Sequence, residues 1–263
     1  VILFRLSLTL LLLVAGPALA QVPTYGVTVV ATYPHDPSAF TEGLFYRDGF
    51  LYESTGLQGQ SSVRKVELAT GKILQQHAID KTYFGEGIVA WKDRLIELTW
   101  QDHIGFVYDI DTFQLRSTFP IEGEGWALTQ DGQNLIMSDG SSDLRILDPN
   151  TLKEVRRLHV TCDGNPVSNI NELEWVKGEI DANIWITNLI VRIAPDTGKV
   201  VGVIDLTPLS EMNPRQPPDK VPNGIAYDAV GDRLFVTGKL WASVYQVRLT
   251  PEAPIPGVCQ QIH

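Results

Sequence analysis

The chain has 263 residues, 44% of them hydrophobic, and a formal net charge of −10; that is ample material for a core and the wrong sign for a phosphate backbone. No Lys/Arg run with interleaved aromatics offsets the charge, so nucleic acid is excluded as an expected partner. Its five histidines are scattered and none shows ligand spacing, which predicts no metal site and no cofactor.

In chain order, the first twenty residues carry one charge, Arg5, then an apolar run from Leu6 to Ala15, a helix-breaking Gly16-Pro17 and the small-x-small ending Ala18-Leu19-Ala20. This reads as a cleavable export signal over 1–20, its apolar stretch short of the ~20 residues of a membrane span. A periplasmic or secreted protein follows, with one domain over 21–263, no membrane segment in the mature form and a monomer as the expected state. In an oxidising compartment Cys162 and Cys259 can form a disulfide or stand as two buried thiols, and spacing leaves both open.

Five stretches then share one grammar: Glu42-Gly43-Leu44, Glu86-Gly87-Ile88, Glu124-Gly125-Trp126, Asn171-Glu172-Leu173 and Asn223-Gly224-Ile225. Each leads through a turn to a second β-rich run: 51–55, 95–99, 135–139, 184–188 and 234–238. Alternation bounded by turn residues predicts strands rather than helices. A third run follows in every copy and a fourth in all but the last, whose missing strand is supplied by Val27 to Tyr33 at the other end of the chain. The repeat of roughly 40 to 50 residues is the blade period of a propeller. The expected fold is all-β: five four-stranded antiparallel blades, the ring closed by the amino-terminal strand joining the last blade.

In such a ring the loops entering the innermost strands lie at the mouth of the channel. One column of the repeat places Glu42, Glu86, Glu124, Asn171 and Asn223 there, and a second places Gly56, Trp100, Gly140, Leu189 and Lys239. Plain strand-entry turns would explain the Glu-Gly and Asn-Gly pairs. They would not require Phe40, Tyr83, Phe84, Trp100 and Trp126 at the same end. Trp91, Trp175, Trp185 and Trp241, in or beside alternating apolar runs, are assigned to packing.

The segments Phe40-Thr41-Glu42-Gly43-Leu44, Tyr83-Phe84-Gly85-Glu86-Gly87, Glu124-Gly125-Trp126, Asn171-Glu172-Leu173-Glu174 and Thr237-Gly238-Lys239-Leu240-Trp241 resemble the plant and bacterial glutaminyl-peptide cyclotransferases. Ala127 departs from the family's usual Gly, and Ala242-Ser243 from a common Pro-Lys. The resemblance implies a metal-independent five-bladed propeller that closes the amino-terminal Gln of peptides or proteins into pyroglutamate with loss of ammonia, Glu42 being the catalytic acid/base. Chemistry gives the same need: the amine must shed a proton and the departing amide nitrogen must gain one, which one carboxyl can do in turn.

Asn171, Asn223 and Lys239 are donors suited to the γ-carbonyl and its oxyanion. Phe40, Trp100 and Trp126 are walls for the glutamine side chain. Glu86, Glu124 and Lys239 either touch substrate or form a structural polar network. Two other classes stay open, a non-catalytic exported propeller that binds peptide or sugar and a calcium- or quinone-dependent propeller enzyme.

Overall fold

The computed structural model describes residues 21–262; the export signal expected over 1–20 lies outside the described residues. The fold is all-β and propeller-like. After β1 (Thr24–Pro34) come three four-stranded sheets in sequence order. The first holds β2 (Thr41–Arg47), β3 (Phe50–Thr55), β4 (Ser62–Glu67) and β5 (Lys72–Ala78). The second holds β6 (Gly85–Trp91), β7 (Arg94–Thr99), β8 (Ile104–Asp109) and β9 (Leu115–Pro120). The third holds β10 (Ala127–Gln130), β11 (Leu135–Ser138), β12 (Asp143–Leu147) and β13 (Glu154–His159).

A short ribbon, β14 (Thr161–Cys162) and β15 (Asn165–Pro166), precedes a larger sheet. This contains β16 (Ile170–Val176), β17 (Glu179–Ile184), β18 (Leu189–Ile193), β19 (Val200–Asp205), β20 (Pro222–Asp228), β21 (Arg233–Gly238) and β22 (Ser243–Glu252) together with β1. It divides into two antiparallel quartets, β16 to β19 and β20-β21-β22-β1, linked within the sheet by a two-residue parallel pairing of β1 with β19. Between β19 and β20 lies α1 (Thr207–Met212), and the chain ends in α2 (Val258–Gln261). The amino-terminal strand thus does pair with β22, antiparallel from Thr24 opposite Glu252 to Pro34 opposite Ser243. Both edges disappear into a ladder that bridges the two ends of the chain.

The first strands of the quartets touch in cyclic order, β2 to β6 to β10 to β16 to β20 and back to β2. Each seam has its own core. Tyr52 and Val63 meet Leu95 and Phe106; Ile96 and Leu98 meet Leu128 and Met137. Leu144 and Ile146 meet Leu173 and Val191; Ile190 and Ile204 meet Val236 and Tyr245; Ala226 and Phe235 return to Leu44 and Leu51. Inner and middle strands are therefore buried on both faces, polar residues such as Glu53, Glu97 and Asp181 included. Outer strands such as β5 have no fully buried residue, exposed positions alternating with half-buried ones. The first strands approach so closely that a Cβ on Gly87 would stand 2.3 Å from Ala127 Cα, which only glycine permits. A disulfide between Cys162 and Cys259 ties β14 to α2 across 97 residues.

Two stretches depart from the register read in the sequence. In the fourth repeat the second strand is 179–184, not 184–188, because the hairpin turns at Lys177-Gly178, with φ of 51° and 89°. Two consecutive positive φ angles are the requirement of a tight hairpin. The stretch Asp181-Ala182-Asn183, whose Asp and Asn are typical turn formers and which precedes the run expected at 184–188, is buried strand. In the third repeat the inner strand starts at Ala127, so the position equivalent to Glu42 is Trp126, two residues after the Glu124 that its spelling suggests.

Candidate active site

Paired residues fix the equivalences among repeats: Leu44 faces Glu53, Ile88 faces Glu97, Leu128 faces Met137, Leu173 faces Ala182 and Ile225 faces Val236. Two residues before each inner-strand member stand Glu42, Glu86, Trp126, Asn171 and Asn223. Three residues after each partner stand Gly56, Trp100, Gly140, Trp185 and Lys239. Trp126 therefore takes the place the sequence column gave to Glu124, and Trp185 the place given to Leu189.

Most members of these two columns line a cavity of about 220 Å³ at one end of the ring of inner strands. Phe40, Glu42, Glu86, Trp100, Trp126, Asn171 and Lys239, all singled out in the sequence, line it. Phe84, also placed at that end by the sequence, lines it as well, together with Leu57, Trp185 and Asp219. Trp185, read as packing, makes an edge-to-face contact with Trp126 at a centroid distance of 5.7 Å. Phe84 lies between Phe40 and Trp100, again edge-to-face with both. It fits because Gly56 has no side chain: a Cβ there would fall 2.4 Å from the Phe84 ring.

Glu42 is 1% exposed at the floor, and Lys239 Nζ reaches both of its oxygens, at 2.7 and 2.6 Å. The ammonium also sits 4.6 Å from the centre of the Phe40 ring, a cation–π distance. Asn223 Nδ2 donates to Thr41 O at 2.9 Å and to Glu42 Oε2 at 3.4 Å, so it holds the glutamate from behind and does not line the cavity. Asn171 is 3% exposed, lines the cavity, and its Oδ1 has no partner among the described residues. Glu124 also stays outside the lining: its carboxylate accepts from Trp100 Nε1 and Trp126 Nε1, each at 2.8 Å, and from Gln101. It braces two aromatic walls rather than facing their contents.

The electrostatics separate the three acids. Burial raises the pKa of Glu42; Lys239 and a hydrogen bond from Glu86 oppose that, and the net shift is still upward. Glu86 is pushed well above the ordinary range by burial and then by the negative charge of Glu42, so it holds its proton and donates to its neighbour. For Glu124 burial is outweighed by its three N–H donors, and the carboxyl titrates below the usual range. Two adjacent carboxyls sharing one lysine titrate as a coupled set. Among the described residues no group of three or more His, Cys, Asp and Glu side chains is placed to hold a metal ion, and no helix is long and apolar enough to cross a membrane.

Comparison with known proteins agrees with this geometry. Residues 4–249 match the family model for glutamine cyclotransferase. The chain is 44% identical over 227 residues to a glutaminyl-peptide cyclotransferase of Arabidopsis thaliana, covering 85% of this chain and 71% of that protein. A crystal structure of Myxococcus xanthus glutaminyl cyclase superposes with a TM-score of 0.83 at 34% identity, over 89% of this chain and all of that one. With a family model spanning nearly its whole length and an enzyme relative at this identity, the chain belongs to the glutamine cyclotransferase family.

Proposed function

We propose that the chain converts the amino-terminal glutamine of peptides or proteins to pyroglutamate with release of ammonia, and that Glu42 carries the proton. The observation that supports this most is the buried Glu42–Lys239 pair, beside the proton-holding Glu86, on the floor of an aromatic cavity. A carboxylate whose pKa is raised is suited to take a proton and return it near neutral pH.

The reacting form is the free amine. As its nitrogen attacks the γ-amide carbon, Glu42 takes one N–H proton and the carbonyl oxygen becomes an oxyanion. Lys239 has three N–H donors, two of them directed at Glu42, so the third, with the Asn171 amide, is assigned to that oxyanion. Glu42 then protonates the amide nitrogen, the C–N bond breaks, the carbonyl re-forms and NH3 departs. The walls of Phe40, Phe84, Trp100, Trp126 and Trp185 exclude water and fold the flexible side chain towards its own amine, the near-attack geometry cyclisation needs.

The five antiparallel quartets are the five blades of a propeller, β1 completing the last blade and closing the ring, as one domain over 21–263. The reaction is assigned to protein side chains without a metal, in a monomer exported to the periplasm or beyond. The export signal read at 1–20 and a disulfide, which persists in oxidising compartments, support that location.

The test is ammonia release from a short peptide beginning with Gln, with and without a chelator. Chelator-resistant release, with the peptide losing about 17 mass units as ammonia leaves, is the expected result. Absence of release from folded protein overturns the assignment, and chelator-sensitive release overturns its metal-free form.

A further inference from the structure

We infer that His35 is a positioning residue for cyclisation: it clamps the turn carrying Lys239 onto the strand carrying Glu42. The inference rests on the reading of Glu42 as the acid/base. Glu42 and Lys239 are 197 residues apart and belong to different quartets, yet Nζ must sit within 2.7 Å of a carboxylate oxygen. Lys239 is anchored to its own quartet through its backbone N–H, which donates to Val221 O at 2.9 Å. Something else must fix that turn against the first sheet.

The connector between β1 and β2 does so. Leu240 N–H donates to Ala39 O at 2.7 Å, and His35 N–H donates to Ala242 O at 3.0 Å. The His35 ring closes the clamp: Nδ1 lies 2.6 Å from Trp241 O and Nε2 lies 2.8 Å from Glu53 Oε1. Both partners are acceptors, so only the imidazolium, with two N–H donors, satisfies both at once. Glu53 Oε1 also accepts the Thr41 hydroxyl at 2.8 Å, and Thr41 is the residue before Glu42. One buried carboxylate therefore holds the Thr41 side chain next to Glu42 and, through His35, the turn presenting Lys239. His35 is 8% exposed and Glu53 is 1% exposed, so water does not readily replace either contact.

The charged groups facing His35 are Glu53 from β3 and Asp36 from its own connector, while Arg64 from β4 binds Asp36 at 2.8 Å and lies 3.9 Å from Glu53. Burial lowers the imidazole pKa, but Glu53, the Trp241 carbonyl and Asp36 outweigh it and the net shift is upward. The clamp is therefore complete below the ordinary histidine range and loosens as pH rises through the raised value. None of these residues lines the cavity.

The experiment compares the native enzyme with His35→Gln, measuring ammonia release from one Gln-initiated peptide across pH together with melting temperature. A displaced Lys239 predicts kcat at least about tenfold lower with KM within about threefold, since misplacement of a reacting group acts on the transition state. It also predicts that the acid limb of kcat/KM moves to higher pH, because Glu42 loses part of its counter-charge. The peptide amine ionises identically with both enzymes, so such displacement belongs to the protein. A lower melting temperature with unchanged kcat and an unmoved limb overturns the inference in favour of a purely structural role.

Should His35→Gln fail to fold, Glu53→Gln, which keeps the shape, is expected to show the same displaced limb. Independently, kcat of the native enzyme is followed while the His35 ring is titrated by NMR. A fall in kcat as the ring deprotonates is expected, and a rate indifferent to that titration overturns the proposal. A native enzyme that releases no ammonia sinks the cyclase reading itself, an outcome distinct from all of these.

Discussion

Glu42 and Glu53 are both 1% exposed glutamates paired with a basic side chain, but they titrate in opposite directions. Around Glu42, one lysine serves a neighbourhood that also holds Glu86 and Asp219, and burial wins. Around Glu53, burial is overcome by His35, Arg64 and the Thr41 hydroxyl, and the carboxyl stays below its ordinary range. Burial is common to both, so the local balance of cations over acids decides which one remains able to exchange a proton. The first arrangement faces a cavity; the second is sealed behind it.

The sharpest way to break that contrast is Glu42→Gln. Turnover is expected to fall about a thousandfold or more, since general acid–base groups contribute some 10²–10⁴, with far-UV circular dichroism and peptide binding preserved. Next is Lys239→Met, which removes the one cation that lines the cavity among the described residues. Glu42 should retain its proton to higher pH, turnover at neutral pH should fall by about a hundredfold, and the acid limb should move upward in a pH-rate profile. Glu124→Gln leaves the floor intact but weakens the charge-assisted bracing of Trp100 and Trp126. A rise in KM of about fivefold with kcat nearly unchanged is expected from steady-state kinetics.

The smallest effect lies away from the cavity. Glu97 is wholly buried beside the Tyr108 hydroxyl, and burial lifts it to about 8. Between the ordinary carboxyl range and that value the folded state keeps a proton the unfolded chain has released, so stability falls as pH rises. Glu97→Gln should flatten the decline in melting temperature between about pH 5 and 8, measured by calorimetry.

Much of this organisation is legible in the sequence. The turns at Asp48-Gly49, Lys92 and Gly132 carry positive φ angles, a demand that turn-forming residues advertise, and the strands following them fall where alternation placed them. The acidic floor was found because Glu42 and Glu86 stand in equivalent, similarly spelled positions. Trp185 was missed because the fourth repeat turns at Lys177-Gly178, whereas Asp181-Ala182-Asn183 resembles a turn more closely. Choosing Lys-Gly as the hairpin would have shifted the column onto Trp185. Glu124 was misplaced for the converse reason: its Glu-Gly imitates the motif while the strand begins two residues later. Asp219 gave no signal, since its loop has no counterpart in the other repeats.

The sequence by itself determined the all-β repeat, the strand borrowed from the amino terminus and the spelling shared with the family, because strand period, turn chemistry and motif spelling are local properties. Tertiary structure alone decided that Asn223 and Glu124 brace rather than line the cavity, that Trp185 joins its wall, and that His35 bridges the two ends of the chain. Those roles depend on where side chains from distant strands meet, and on whether burial or a neighbouring charge prevails there, quantities that exist only once the ring of strands is formed.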